Sequence, residues 1–183
     1  MAVHNADIAR VFEEIADLLE LGDENPFRVR AYRNAARVIG GLGLDIAGTL
    51  AAGKPLPKIP GVGADLDAKL HEVVATGTCA LLQQLRQREG PGVTELLQLP
   101  GLGPKRVHTL HEVLAARSLA DVAAAARAGR IRELPGFGEK TEHSILAAAE
   151  ARLSKAKRFL RVTAAQYAEP LADALRQVDG VDR

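Results

Sequence analysis

Tryptophan is absent from this chain, and with only two tyrosines and four phenylalanines, aromatic packing cannot dominate its core. The interior falls to Leu, Ala, Val and Ile, and the abundance of Ala and Leu favours helix. A single cysteine, Cys79, excludes an internal disulfide and fits a reducing compartment, with the cytoplasm as the expected location. No apolar run approaches the ~20 residues needed to span a bilayer, so no membrane partner is expected. The opening segment, MAVHNADIARVFEEIADLLE, is acidic where a secretory signal would be basic, and no export signal is read there. A large net charge is also lacking, since 24 Lys and Arg stand against 23 Asp and Glu. That balance excludes a generic polycation but not a set of local anion sites. The bases are placed locally: residues 1–20 carry five acids and one base, 21–60 six bases and three acids, and 151–183 seven bases and four acids.

What is present reads as helix. Ile8, Val11, Phe12, Ile15, Leu18 and Leu19 recur at helical spacing, with Asn5 as N-cap, Asp7 in the first turn and Gly22 as the stop. A second helix begins at Asn25-Pro26, because Pro is tolerated at the first helical position, and runs to Gly40-Gly41. A short helix follows from Asp45 to Ala52, ended by Gly53 and the Pro55/Pro57 pair. Sustained period-two alternation is missing, so strands are not expected before the last residues.

Three segments align without gaps: IPGVGADLDAKLHEVVA from Ile59, LPGLGPKRVHTLHEVLA from Leu99 and LPGFGEKTEHSILAAAE from Leu134. Each has the form apolar-Pro-Gly-apolar-Gly followed by about three turns of helix. The glycine pairs are Gly61/Gly63, Gly101/Gly103 and Gly136/Gly138. Two glycines between helices allow positive φ and close approach to another surface. The helix that follows opens with unsatisfied N–H groups and a partial positive charge. Together these make an anion site suited to a DNA phosphate, and because no base edge is read, binding should be independent of sequence. The residue between the glycines (Val62, Leu102 or Phe137) can turn inward and pin the helices. Lys105 and Arg106 in the second copy, and Lys140 in the third, add positive charge at the helix start; the first copy has Asp65 and Asp67 instead. A repeat of this kind could also simply join packed helices, and three copies at one offset favour the binding role.

At the eighth position after the first glycine, Thr109 and Ser144 in the later copies correspond to Lys69 in the first. Lys69 lies between Leu66 and Leu70, and a partly desolvated amine would lose basicity and gain nucleophilicity toward an aldehyde. A solvent-exposed lysine is the alternative. Asp65 and Asp67 lie two apart on a helix, about 200° around its axis, so they should not chelate a catalytic magnesium together. His71-Glu72 and His111-Glu112 lack the second His of a zinc-protease motif, and no cysteine cluster exists for structural zinc. His108 and His111 are spaced to share a metal only with a third ligand. Lys155, Lys157, Arg158 and Arg161 form a basic stretch that either follows a DNA backbone or faces solvent.

The stretch NPFRVRAYRNAARVIGGLGLDIAGTLAAGKPLPKIPGVGADLDAKLHEVVATGT, Asn25 to Thr78, resembles the small amino-terminal domain of the DNA polymerase beta-like, family X polymerases, particularly prokaryotic members. The Ala31–Ala36 element, the PGVG hairpin and the Ala75–Gly77 ending carry the match, and the later hairpins resemble the duplex-holding domain that follows. The resemblance implies sequence-independent binding of DNA, as gapped or nicked duplex with a 5′-phosphate end, in repair of damaged bases by excision. It also implies lyase action on a 5′-deoxyribose phosphate, with Lys69 as Schiff-base nucleophile, Tyr32 beside the phosphate and Arg28 as a phosphate-binding base. Arg30, Arg33 and Arg37 join Arg28 by helical spacing. The pattern departs where family phosphate-binding lysines align with Asp65 and Leu81.

In relatives the hairpin carbonyls hold a monovalent cation, Na+ or K+, and by position these are Pro57, Ile59 and Val62, then Leu97, Leu99 and Leu102. The family's Gly-Ser motif and metal-binding aspartates would follow Arg183, so Mg2+ and nucleotide transfer are expected only with that palm; at most, this chain would be a lyase. The expected architecture is all-α: a lyase-type domain at 1–80, a duplex-binding domain with two hairpins at 81–152, and a linker and palm entry at 153–183. A monomer is expected. The alternative is a non-enzymatic helix-hairpin-helix module that holds DNA or a protein partner.

Overall fold

The computed structural model describes residues 3–176, with side chains in the final helix through Ala156 and at Arg158 and Ala168. Among the described residues all regular structure is helical: α1 (Asn5–Leu21), α2 (Pro26–Gly40), α3 (Ile46–Ala51), α4 (Ala64–Thr76), α5 (Ala80–Glu89), α6 (Pro91–Leu97), α7 (Pro104–Leu114), α8 (Leu119–Arg127) and α9 (Glu139–Arg176). The all-α expectation therefore holds. No helix among these residues is long and apolar enough to cross a membrane.

The chain forms two compact units, Met1–Ser118 and Leu119–Arg183. The first is organised on α1, which packs against α2, α4, α5 and α7. Its stripe works as the periodicity implies, with Ile8, Phe12, Ile15, Leu18 and Leu19 wholly buried and Val11 at the margin. Burying such a side chain contributes about 1.5–3 kcal/mol, so this helix dominates the unit's interior. Val29, Tyr32, Ala35, Ala36 and Ile39 of α2 close over it, and Phe12 meets Tyr32 with ring centroids 5.8 Å apart. Leu82 and Leu85 of α5 enter the same core, and α7 reaches α1 as well. These contacts carry the first unit past residue 80, where the sequence suggested a boundary.

Of the helix N-caps that the sequence suggested, Asn25 and Asp45 form theirs and Asn5 does not. Asn25 accepts from the Phe27 N–H at 2.9 Å and Asp45 from the Gly48 N–H at 3.1 Å. Asn5 does not cap α1: His4 does, and its N–H donates to the Asp7 carboxylate at 2.9 Å. The Asn5 amide is drawn away by better partners, donating to the Leu44 carbonyl at 2.6 Å and accepting from the Ile46 N–H at 3.2 Å. It thereby fixes the connection between α2 and α3.

In the second unit Val122, Ala123, Ala126, Ile131, Ile145 and Ala149 are buried. Helix α9 continues without a break at residue 152 and passes through Pro170. Where the sequence suggested a linker the chain is helical, as suits residues 139–169, which contain neither Gly nor Pro and are rich in Ala, Leu, Lys and Arg. The side chains of Lys157 and Arg161, and the palm-entry residues 177–183, lie outside the described residues.

Glu142 on α9 is the one fully buried charge among the described residues. Its carboxylate accepts from the Ile131 and Arg132 N–H groups at 3.0 and 2.9 Å and from Arg132 Nε at 2.6 Å. Burial alone would raise its pKa; the Arg132 and Ile131 donors outweigh that and hold it below the ordinary value. Glu142 therefore stabilises the fold above the unfolded carboxylate pKa, and the contribution is lost as pH falls through the depressed folded value. Glu142→Ala should cost about 3 kcal/mol in denaturant melts at neutral pH, with the gap to wild type narrowing in acid; an unchanged midpoint would contradict the clamp.

Candidate functional site

The three repeats fold into the same turn. Val62 donates to the Ile59 carbonyl, Leu102 to that of Leu99 and Phe137 to that of Leu134, each at 3.1 Å. Gly61, Gly101 and Gly136 have φ of +78°, +78° and +80°. Pro followed by a positive-φ Gly at the centre of a hydrogen-bonded reverse turn is the type II pattern, and the left-handed region excludes most other residues. The second glycine is extended in the first two copies: Gly63 lies at φ −85°, ψ 176° and Gly103 at φ −89°, ψ 175°. These are the N-caps of α4 and α7, and glycine brings no side chain to satisfy the first helical N–H groups. Gly138 takes the corresponding place directly before α9. Its carbonyl accepts from the Glu142 N–H at 2.9 Å, as those of Gly63 and Gly103 accept from Asp67 at 2.9 Å and Val107 at 3.0 Å. All six turn glycines are exposed, while Leu102 and Phe137 are buried and Val62 is half-buried.

The charge around the turns is uneven. Lys105 and Lys140 are exposed at the starts of α7 and α9. Gly138 is followed directly by Glu139, the first residue of α9, so its setting is mixed in charge despite Lys140. That carboxylate is drawn back to Arg132 at 3.3 Å, so the third turn is flanked by an ion pair as well as by Lys140. Arg106 folds back so that Nη1 donates to the Gly101 carbonyl at 2.7 Å, setting its guanidinium against the turn. At the first turn Asp65 pairs with Lys69, and Asp67 faces His71 at 3.7 Å, each one helical turn onward. The two aspartates thus face separate partners, as their spacing requires.

Lys69 is not freely exposed, and its surroundings do not favour the neutral amine. Its side chain is 16% exposed, and burial pulls its pKa down, but the Asp65 carboxylate reverses that and leaves it above the ordinary lysine value. Desolvation alone, as the apolar flanks suggested, would have made a more nucleophilic amine; the carboxylate one turn earlier decides the sign. Tyr32 lies deep in the core with its hydroxyl unpartnered among the described residues, and burial raises its pKa while the nearby Lys69 charge opposes the rise. Cys79, the N-cap of α5, is buried within electrostatic reach of Lys69, and no spacing rule pointed to it.

The arginines of α2 do not act as one row. Arg33 is held by Asp17 at 3.0 Å, by Glu20, and by Glu13 at 3.8 Å, all on α1, so it is neutralised internally and leaves the expected phosphate-binding set. Arg28 is exposed beside Glu24 at 3.5 Å. Arg30 lies over the Phe27 ring, 4.6 Å from its centroid. Phe27 is 75% exposed. Its signal was legible, since it falls outside the phase of the buried positions 29, 32, 36 and 39.

Leu97 ends α6 shortly before the second turn, and Leu99 and Leu102 are the first and last residues of that turn. The Leu99 carbonyl already accepts the Leu102 N–H, and an sp² oxygen retains a second lone pair. Neutral carbonyls fit a weakly held monovalent ion. Among the described residues no group of three His, Cys, Asp or Glu side chains is arranged for a metal, which leaves His108 and His111 without a third ligand.

Positive-φ turns, inward pins and glycine-led helices are the geometry of repeated helix-hairpin-helix motifs in an all-α fold. Residues 3–79 match the family described as a helix-hairpin-helix domain, and residues 93–159 match the SAM-like helix-hairpin-helix tandem. The resemblance to the amino-terminal region of a prokaryotic family X polymerase holds: the chain is 29% identical over 175 residues to the DNA polymerase/3′-5′ exonuclease PolX of Bacillus subtilis. That match takes in 96% of this chain and 30% of the relative's length.

Replacing Asp65 with Asn should lower the Lys69 pKa. The proton linkage is direct, since removing a partner that favours the charged amine favours the neutral one. NMR titration of the Lys69 ε-carbon should show an earlier transition in Asp65→Asn than in wild type; coincident curves would refute the pairing.

Proposed function

We propose that the chain binds DNA without reading sequence, seating backbone phosphates on the amides of its three Pro-Gly-x-Gly turns. The observation that carries this reading is the shared turn geometry, with φ near +80° at each first glycine. Each such turn leads directly into a helix start, where a phosphate would gain both hydrogen bonds and the helix dipole. The relative's name supplies the setting, a DNA polymerase with exonuclease activity. Gapped or nicked duplex with a 5′-phosphate suits the exposed face at the start of α2. There Arg28 and Arg30 supply charge, and the exposed Phe27 ring supplies a surface on which an unpaired base can stack. A monovalent cation on the carbonyls of Leu97, Leu99 and Leu102 belongs to the same reading, as does action as a monomer in the cytoplasm.

Lyase chemistry at Lys69 is the finer proposal. The neutral amine attacks the sugar aldehyde, water leaves to give an iminium ion, and loss of a C2 proton expels the phosphate end. Asp65 opposes the first step by favouring the protonated amine. A tethering module with no chemistry is the second reading, and this ion pair favours it.

Two experiments separate these. With three phosphates held, affinity for duplex should fall roughly forty-fold between about 50 and about 200 mM salt, and Lys105→Ala should reduce the slope by about one ion. Salt-independent affinity would overturn the phosphate reading. Borohydride should trap wild type, but not Lys69→Ala, on a 5′-deoxyribose phosphate end; equal trapping, or none, removes the lyase.

A further inference from the structure

The first turn differs from the other two in lacking a base at the start of its helix, yet its backbone has the same conformation. What stands beside it comes from another part of the chain. The Asn34 amide nitrogen of α2 lies 2.4 Å from where a Cβ on Gly61 would be, so it rests on the bare face of the turn. Arg37, one helical turn further and exposed, donates from Nη2 to the Asn34 Oδ1 at 2.7 Å. Lys58 is exposed immediately before the turn, on the rim of a shallow depression of about 570 Å³ lined by Lys58, Ile59, Pro60, Gly61, Val62 and Gly63. At the second turn Arg106 occupies a comparable place, with Nη1 3.7 Å from the Cβ position on Gly101. One turn takes its guanidinium from its own helix, the other through an asparagine on a neighbouring helix.

We propose that Arg37, braced by Asn34, and Lys58 form with the first turn a composite seat for one DNA backbone phosphate, replacing the charge that Asp65 and Asp67 withhold. This rests on the reading of the turns as phosphate seats. Asp65 and Asp67 do not cancel the seat, because each is drawn toward a side chain further along α4, Lys69 and His71 respectively. The recruited charge also accounts for Asn34 at a half-buried position where α2 passes the turn, since its amide touches the turn while its oxygen orients Arg37. Because Arg37 sits in the last turn of α2, its charge also complements the helix dipole, and the test must separate that role.

The full chain is titrated with duplex DNA over a salt series as wild type, Arg37→Gln, Lys105→Ala and Arg10→Gln, with thermal melts of each. Arg10→Gln removes the same charge from α1, where Arg10 pairs with Asp7. Arg37→Gln should weaken binding roughly ten-fold at low salt and reduce the salt slope by about one, as Lys105→Ala does, while Arg10→Gln leaves the slope unchanged. Asn34→Ala should reproduce part of the Arg37→Gln loss. If Arg37→Gln matches Arg10→Gln while Lys105→Ala still lowers the slope, the composite seat is wrong and the general reading survives. If the loss in Arg37→Gln disappears once its melting shift is matched by temperature, its role is structural and the proposal falls. If wild type itself ignores DNA, the turn reading fails first and the seat with it.

Discussion

The structure depends on a backbone conformation that only glycine adopts readily. At Gly61, Gly101 and Gly136 the chain must turn through positive φ within a hydrogen-bonded reverse turn, and a Cβ there would clash with its own backbone. That single requirement fixes the rest of each motif. Proline precedes because it pre-sets the first turn position, the next apolar residue points back into the helix pair, and the second glycine opens the following helix without a side-chain cap. The proposed phosphate seats use the first N–H groups of the helices that these turns open, which have no acceptor within their own helix.

The same geometry is tuned by the side chains that surround it. The second and third turns carry base at their helix starts; the first carries Asp65, which pairs with Lys69 and raises its pKa. One substitution pattern thus changes two properties together. It removes positive charge from the turn, and it moves the one candidate nucleophile away from the neutral form that imine chemistry needs. In the proposed reading the Asn34–Arg37 pair restores the first of these without altering the second, so that phosphate binding and aldehyde chemistry would be separable properties of neighbouring residues.

Local rules were legible where local chemistry decides. The helix starts at Asn25 and Asp45, the stop at Gly22 and the three turns could be read directly, because capping and turn formation involve residues within a few positions of each other. Asn5 was misread because a partner forty residues away competes for its amide. Arg33 followed the helical spacing of a basic row, yet spacing cannot register the carboxylates of α1 that claim it. The repeat locates Gly138 directly before its helix, while the pull of Arg132 on the neighbouring Glu139 is invisible to repeat spacing. Lys69 had the right neighbours for desolvation, and the sign of its shift turned on one carboxylate four residues away. Phe27 could have been found, since its phase is wrong for the core. Cys79 could not, because nothing in its sequence surroundings marks its proximity to Lys69.

The central claim is that the turn amides themselves contact the phosphate. Backbone amide NMR of the labelled chain, titrated with a short gapped duplex bearing a 5′-phosphate, tests it most directly. The account requires the largest shifts at residues 61–65, 101–106 and 136–140, with residues 13–20 of α1 unmoved. Shifts concentrated on α1, or spread evenly over the surface with the turns silent, would contradict it.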